Sequence, residues 1–216
     1  MNHPLLDTLL AAAAGAFPPV DGGVTHLPPL EDGLEAIVSF TGHAFLASRL
    51  TADDIADLAP DGFGSVLHPS VLLRMAGDRG DIAVGVIDVT LVAPGTGAGA
   101  GAGGMEGRTD LDDHPRVRHA RSLRSDVEVF GDESGLVTVA RGLAGRREMS
   151  IELFDTSTSR GEGRRLIEST LGMVGGGEPV FAGVSPGNAR SLRAFLACGF
   201  TPIGSEVIVK PARAAP

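Results

Sequence analysis

Three arginines, Arg160, Arg164 and Arg165, crowd a segment in which Gly161 and Gly163 stand two residues apart. Just beyond them Leu166, Ile167, Thr170, Leu171 and Val174 fall on one face of a helix, predicting a helix over 163–174. The cations therefore sit at a helix amino end, where the dipole disfavours each by roughly 0.3–1 kcal/mol. That end also offers backbone N–H groups without intrahelical partners, which accept anions readily, and glycines let the backbone approach such an anion closely. Two readings stay open on these residues alone. Either a multiply charged anion docks there, or Glu162 and Glu168 neutralise the arginines on a solvated face.

Glu148 and Glu152 open a second kind of chemistry. They lie in Glu148–Phe154, a strand pattern in which residues four apart face the same side. A positioned carboxylate can take a proton from a nucleophile, or it can pair with Arg146 or Arg147. Asn188 follows Ser185-Pro186-Gly187 and opens a helix pattern over 188–198, so its side chain reads as an N-cap. Arg190 and Arg193 alternate out of the apolar face made by Leu192, Phe195 and Leu196. His43 and His119 read as structural hydrogen-bonding residues ahead of catalysts. No His and carboxylate pair has metal-ligand spacing and no Ser-His-Asp order emerges, so no metal is expected.

The elements that must position these groups are readable in outline. MNHPLLDTLLAAAAGAFPP reads as an amphipathic N-terminal helix rather than a leader peptide, because no basic residue precedes Arg49 and Asp7 interrupts the apolar stretch. Leu34–Phe40 and His43–Ser48 predict a hairpin around Thr41-Gly42, and Thr51 predicts the N-cap of a short helix. A helix over Pro69–Ala76 and a strand over Asp81–Ala93 complete an N-terminal α+β subdomain, residues 1–94. Residues 95–107, GTGAGAGAGGMEG, read as a flexible linker. In 108–216 the pattern predicts a helix from Asp113 to about Ser125, strands at Val127–Phe130, Leu136–Leu143 and Glu148–Phe154, and then the two helices above. A strand over Pro179–Val184 separates those helices, and Gly199 reads as a C′ glycine. Strands around Phe200–Ile203 and Glu206–Val209 finish the sequence.

Composition excludes several functions. A single cysteine, Cys198, allows no internal disulfide and no multi-cysteine zinc site, which fits a reducing cytoplasm. The net charge is −9, with no Trp, no Tyr and no basic tract, a poor match to nucleic-acid binding. No apolar run reaches the ~18 residues that a membrane-spanning helix needs. The charge is uneven: residues 1–107 hold 13 acidic against 3 basic side chains, and residues 108–216 hold 14 against 15.

Two segments resemble the GNAT superfamily of N-acetyltransferases. EMSIELFDTSTSRGEGRRLI, residues 148–167, aligns with that family's strand–turn–helix element and its R/Q-x-x-G-x-G/A turn, with Gly161 and Gly163 as the glycines and Thr158 where Arg or Gln is usual. VFAGVSPGNARSLRAFLACGF, residues 180–200, is similar to the later pattern of Asn188, Ser191, Phe195, Gly199 and Phe200 at family spacing. The resemblance covers residues ~112–210 and implies an α+β fold with a mixed sheet, to which residues 1–94 are an addition.

The resemblance implies transfer of an acetyl group from acetyl-CoA, as co-substrate, to an amine. It assigns cofactor contacts to Leu153, Phe154, Thr158, Ser159, Arg160, Gly161, Glu162, Gly163, Arg164, Asn188 and Phe195. Backbone N–H groups around Leu153 would hold the thioester carbonyl. Glu148 stands at a position where the family can carry a base, with Glu152 second. An amine of pKa about 10.4 is mostly protonated at neutral pH, which is why such a base is needed. Many relatives have Tyr, a proton donor to the leaving thiolate, where Phe195 stands; departure without that acid costs about 2 kcal/mol for a thiol of pKa ~8.5. The acceptor is expected to be a small-molecule or protein amine, with overall acidity favouring a cationic one such as a polyamine. A homodimer stays open. The alternative is a non-catalytic acyl-CoA-binding module, favoured by Thr158 and Phe195.

Overall fold

The computed structural model describes residues 2–77, 83–84, 87–99, 104–155 and 161–210. In chain order the first elements are α1 (Pro4–Ala13), β1 (Val24–Leu27), β2 (Glu35–Phe40), β3 (His43–Ala47), α2 (Ala52–Leu58), α3 (Pro69–Ala76), β4 (Ala83–Val84) and β5 (Asp88–Pro94). There follow β6 (Glu106–Gly107), α4 (Pro115–Leu123), β7 (Ser125–Gly131), β8 (Gly135–Arg141), β9 (Arg147–Leu153), α5 (Glu162–Met173), β10 (Pro179–Val184), α6 (Ala189–Ala197) and β11 (Thr201–Lys210). The fold is mixed α/β with a sheet of both parallel and antiparallel pairs. It divides into two units, residues 1–89 with 203–216, and residues 90–202.

In the first unit the strands run β1-β3-β2-β11, with β4 also on β11. The hairpin β2–β3 turns at Thr41-Gly42, where Gly42 has φ +71°, a left-handed conformation that suits glycine. Ile37, Leu46, Val207 and Val209 form one core face with Val66, Val71 and Met75 from the α3 region. Thr51 caps α2 in a capping box with Asp54. His43 Nδ1 lies 2.8 Å from Asp21 Oδ1 and its Nε2 lies 2.9 Å from Thr25 Oγ1, so this histidine ties the loop before β1 to β3. The last two expected strands are one strand, β11. A Cβ on Gly204 would stand 2.5 Å from the carbonyl oxygen of Ser39, so glycine lets β11 run without a break beside β2.

In the second unit the order is β5-β10-β9-β8-β7-β6. β7, β8 and β9 are antiparallel, whereas β9 and β10 are parallel and joined by the crossover helix α5, as parallel neighbours require. Alternation along β9 sorts its two faces. Glu148 and Glu152 point to the α4 side, where Val117 and Leu136 pack. Ile151 and Leu153 point to the α5 side, each 3.7 Å from where a Cβ on Gly163 would lie.

The described part of the expected linker is ordered by a specific task. Helix α5 ends with carbonyls that have no partner within the helix. Thr96 and Gly99 donate main-chain N–H groups to Leu171 and Gly172, and Gly97 donates to Val174, at 2.8–3.0 Å. A Cβ on Gly95 would sit 2.6 Å from Gly175 O, so residues without side chains are what let these backbones meet.

Candidate active site

A cleft of about 760 Å³ opens at the carboxyl ends of the parallel strands β9 and β10, the place where α/β sheets bind ligands. Its walls are Ile151, Glu152 and Leu153 at the end of β9, Gly161, Gly163 and Arg164 at the start of α5, and Asn188, Ser191 and Arg193 at the start of α6. Arg116 in the first turn of α4 closes one side, and Arg190 and Ala194 add to the α6 wall.

Helix α5 has Gly161 as its N-cap residue, with φ +93°, and no side chain among the described residues caps its first turn. The other long helices differ: His3 caps α1, His68 caps α3, His114 caps α4 and Asn188 caps α6. Gly161 and Gly163 line the cleft beside Arg164, whereas Arg165 is turned toward the β7–β8 connection. There it donates to Glu162 at 2.8 Å, to Asp132 and to Ser134 at 2.7 Å. Asn188 accepts from the N–H of Ser191 at 3.1 Å, so it is an N-cap and also lines the cleft.

The expected site residues separate into groups. Glu152, Leu153, Gly161, Gly163, Arg164 and Asn188 come together around the cleft. Thr158, Ser159 and Arg160 lie outside the described residues. Glu162 is the partner of Arg165, and Phe154 lies against His114, with ring centroids 6.1 Å apart. Phe195 is 3% exposed and meets Phe200 edge-on at 4.9 Å. That contact belongs to a Schellman ending: Phe200 N–H donates to Phe195 O and Gly199 N–H to Leu196 O, with Gly199 at φ +86°. The aromatic and Gly-Phe of the motif thus form the hydrophobic closure of α6.

Glu148, whose position suggested a base, is not among the described residues that line the cleft. It is 2% exposed and fully engaged: Arg124 Nε donates to Oε1 at 2.7 Å, and Arg146 Nε donates to Oε2 at 3.2 Å. Burial alone would raise its pKa, but the guanidiniums of Arg124 and Arg146 outweigh it and hold the carboxyl at about 2. A group so acidic is a weak proton acceptor at neutral pH. The Arg146 guanidinium is itself buried, 4.9 Å above the ring of Phe181.

Glu152, by contrast, is open to the cleft and paired with Arg116 at 3.0 Å. His119, one turn along α4, has its pKa lowered by burial and by the charges of Arg124 and Arg116. Arg116 was not among the expected site residues, and Arg190 and Arg193 read as cations flanking an apolar face. Their spacing places Arg190 and Arg193 on adjacent turns, but which way those turns point depends on packing. Among the described residues, no three His, Cys, Asp or Glu side chains are grouped to hold a metal ion.

No protein-family model matches the chain, and no curated protein matches it. Among solved structures, it is similar to a GNAT-family protein from Novosphingobium aromaticivorans at 13% identity and a TM-score of 0.42, over 63% of this chain and 70% of that one. It is similar to a GCN5-related N-acetyltransferase from Kribbella flavida at 12% identity and a TM-score of 0.38, over 62% and 61%. It is also similar to a conserved protein of unknown function from Staphylococcus epidermidis at 12% identity and a TM-score of 0.41, over 77% and 71%.

Proposed function

We propose that this chain is an acyltransferase that moves an acetyl group from acetyl-CoA to an amine, as the resemblance of residues 148–167 and 180–200 implies. The observation that carries the reading is the glycine-led amino end of α5 and Arg164 lining one cleft at the ends of two parallel strands. The N–H groups of a helix's first turn, Arg164 and the nearby Arg190 and Arg193 are the donor set that a diphosphate needs. Bound there, acetyl-CoA would supply an activated acyl group and a thiolate leaving group.

Within that frame the residues of this chain divide the work. Gly161 and Gly163 bring α5 backbone to the phosphates, and Asn188 holds the opening turn of α6 in place. The backbone at the end of β9, near Leu153, orients the reacting carbonyl. Glu152 is the carboxylate in the cleft that can receive the proton given up by the amine. Calorimetry with acetyl-CoA, followed by detection of free thiol in a panel of amines, tests the reading. Absence of binding at millimolar acetyl-CoA refutes it.

A second reading, a non-catalytic acyl-CoA-binding module, is favoured by Glu148, whose carboxylate is committed to two arginines, and by Phe195, which brings no hydroxyl to the cleft. Binding without thiol release for any amine would select it.

A further inference from the structure

We infer that the amine acceptor is a zwitterion, an α-amino acid whose ammonium meets Glu152 and whose carboxylate meets Arg116; this rests on the acyl-transfer reading above. The overall charge pointed to a cationic acceptor, but the acidic surplus belongs to residues 1–107. Among the described residues, the cleft is lined by Arg116, Arg164, Arg190 and Arg193 against one carboxylate, Glu152. A polycation would meet mostly like charge there, whereas an acceptor carrying its own carboxylate would not.

Arg116 and Glu152 make a pair shaped for both charges of such a molecule. Arg116 Nε and Glu152 Oε2 are 3.0 Å apart, and the side chains are 38% and 39% exposed, so each presents unspent donors or acceptors to the cleft. An open pair of this kind adds little to stability, unlike the buried Glu148 cluster two positions down the same face of β9. The amino and carboxylate groups of an α-amino acid are carried on one carbon, so they fall side by side as the two protein charges do. Its position is fixed from both elements. His114 Nδ1 accepts the N–H of Arg116 at 3.2 Å, setting the first turn of α4, and Glu152 lies in β9 opposite Leu136 of β8.

The step balances. Glu152 takes one proton from the ammonium and passes it to water. The amine nitrogen forms a C–N bond to the acetyl carbonyl carbon, the C–S bond breaks, and the departing sulfur takes a second N–H proton. The products are an N-acetyl amino acid, a thiol and one released proton.

The test measures thiol release from acetyl-CoA with L-amino acids, each set against its own amide and against spermidine. At least one amino acid should turn over with a KM about tenfold or more below that of its amide, the scale of one lost charge-assisted hydrogen bond. Arg116→Gln should raise the KM for the acid by about that factor more than it changes the KM for the amide, with Arg116→Lys restoring part of the difference. General damage to the fold would move both substrates together. Equal KM values for acid and amide, a preference for spermidine, or binding of acetyl-CoA with no amino acid turned over would each overturn the proposal and leave acetyl-CoA binding standing. Calorimetry showing no acetyl-CoA binding would instead overturn the reading beneath it, and the proposal with it.

Discussion

Arg124 donates through Nε to Oε1 of Glu148 at 2.7 Å, joining the end of α4 to the start of β9 inside the protein. Arg146 holds the other carboxylate oxygen, and Leu143 N–H approaches it at 3.4 Å. Removing the carboxylate would leave two buried guanidiniums facing each other, so Glu148→Gln should cost about 3–5 kcal/mol of stability. The folded pKa of about 2 lies below the ordinary 4.5. The contribution is therefore complete above the ordinary value and is lost as pH falls toward the folded one. Urea unfolding across that range, on wild type and variant, checks both statements. A variant as stable as wild type at neutral pH refutes them.

Phe195→Tyr restores the residue found in many relatives, yet it should not restore their chemistry. The ring is buried against Phe200 as part of the α6 ending. A hydroxyl placed there without a partner should cost roughly 1–3 kcal/mol. Thermal unfolding should show the loss, and thiol release should not rise. Faster turnover in the variant would mean that the ring reaches the cleft.

Two adjacent arginines should separate cleanly. Arg164→Ala, in the cleft wall, should weaken acetyl-CoA binding by about tenfold, and added salt should narrow the gap from wild type. Arg165→Ala removes bonds to Glu162, Asp132 and Ser134, so stability should fall while the dissociation constant holds. Titration calorimetry on both variants decides. Equal effects on binding would remove Arg164 from the site.

Glu35 is a buried carboxylate with one oxygen, Oε2, lacking a hydrogen-bond partner among the described residues. Burial raises its pKa, only partly offset by Arg49, which stands 3.8 Å away. Ionisation thus opposes folding above the raised value, and stability should improve as pH falls through it. Glu35→Met should gain about 1 kcal/mol at neutral pH and lose that pH response. A less stable variant would show that the carboxylate is needed.

The Cys198 thiol is pushed up by burial and by the charge of Glu168. Alkylation by iodoacetamide at about pH 8, near the ordinary thiol value, should be slower than for free cysteine. Glu168→Gln should speed it. A rate equal to free cysteine would contradict the burial.

Local patterns were legible wherever one residue type had one backbone consequence. The Thr51 cap, the Gly42 turn, the Asn188 cap and the Gly199 ending all stand as their residues predict. So did the helix faces, since Leu166, Ile167 and Leu171 are buried as their spacing requires. Roles that depend on tertiary neighbours were not legible. Glu148 and Glu152 are alike in sequence, but only Glu148 meets Arg124, 24 positions earlier. Likewise β1 is four residues long and pairs with β3, so nothing local announces it. Nor does anything local announce the hydrogen bonds that Thr96, Gly97 and Gly99 donate to the end of α5, because their partners lie some 75 residues away.

The pairing of Ser205–Val209 with Glu35–Ser39 gives the first unit a late closing date during synthesis. Its hairpin leaves the ribosome early with one flank bare, and that flank waits while the entire second unit is made. A fragment ending at residue 94 should expose an unsatisfied strand edge and self-associate, which sedimentation would reveal. A monodisperse, protease-resistant fragment would show that the last strand is dispensable.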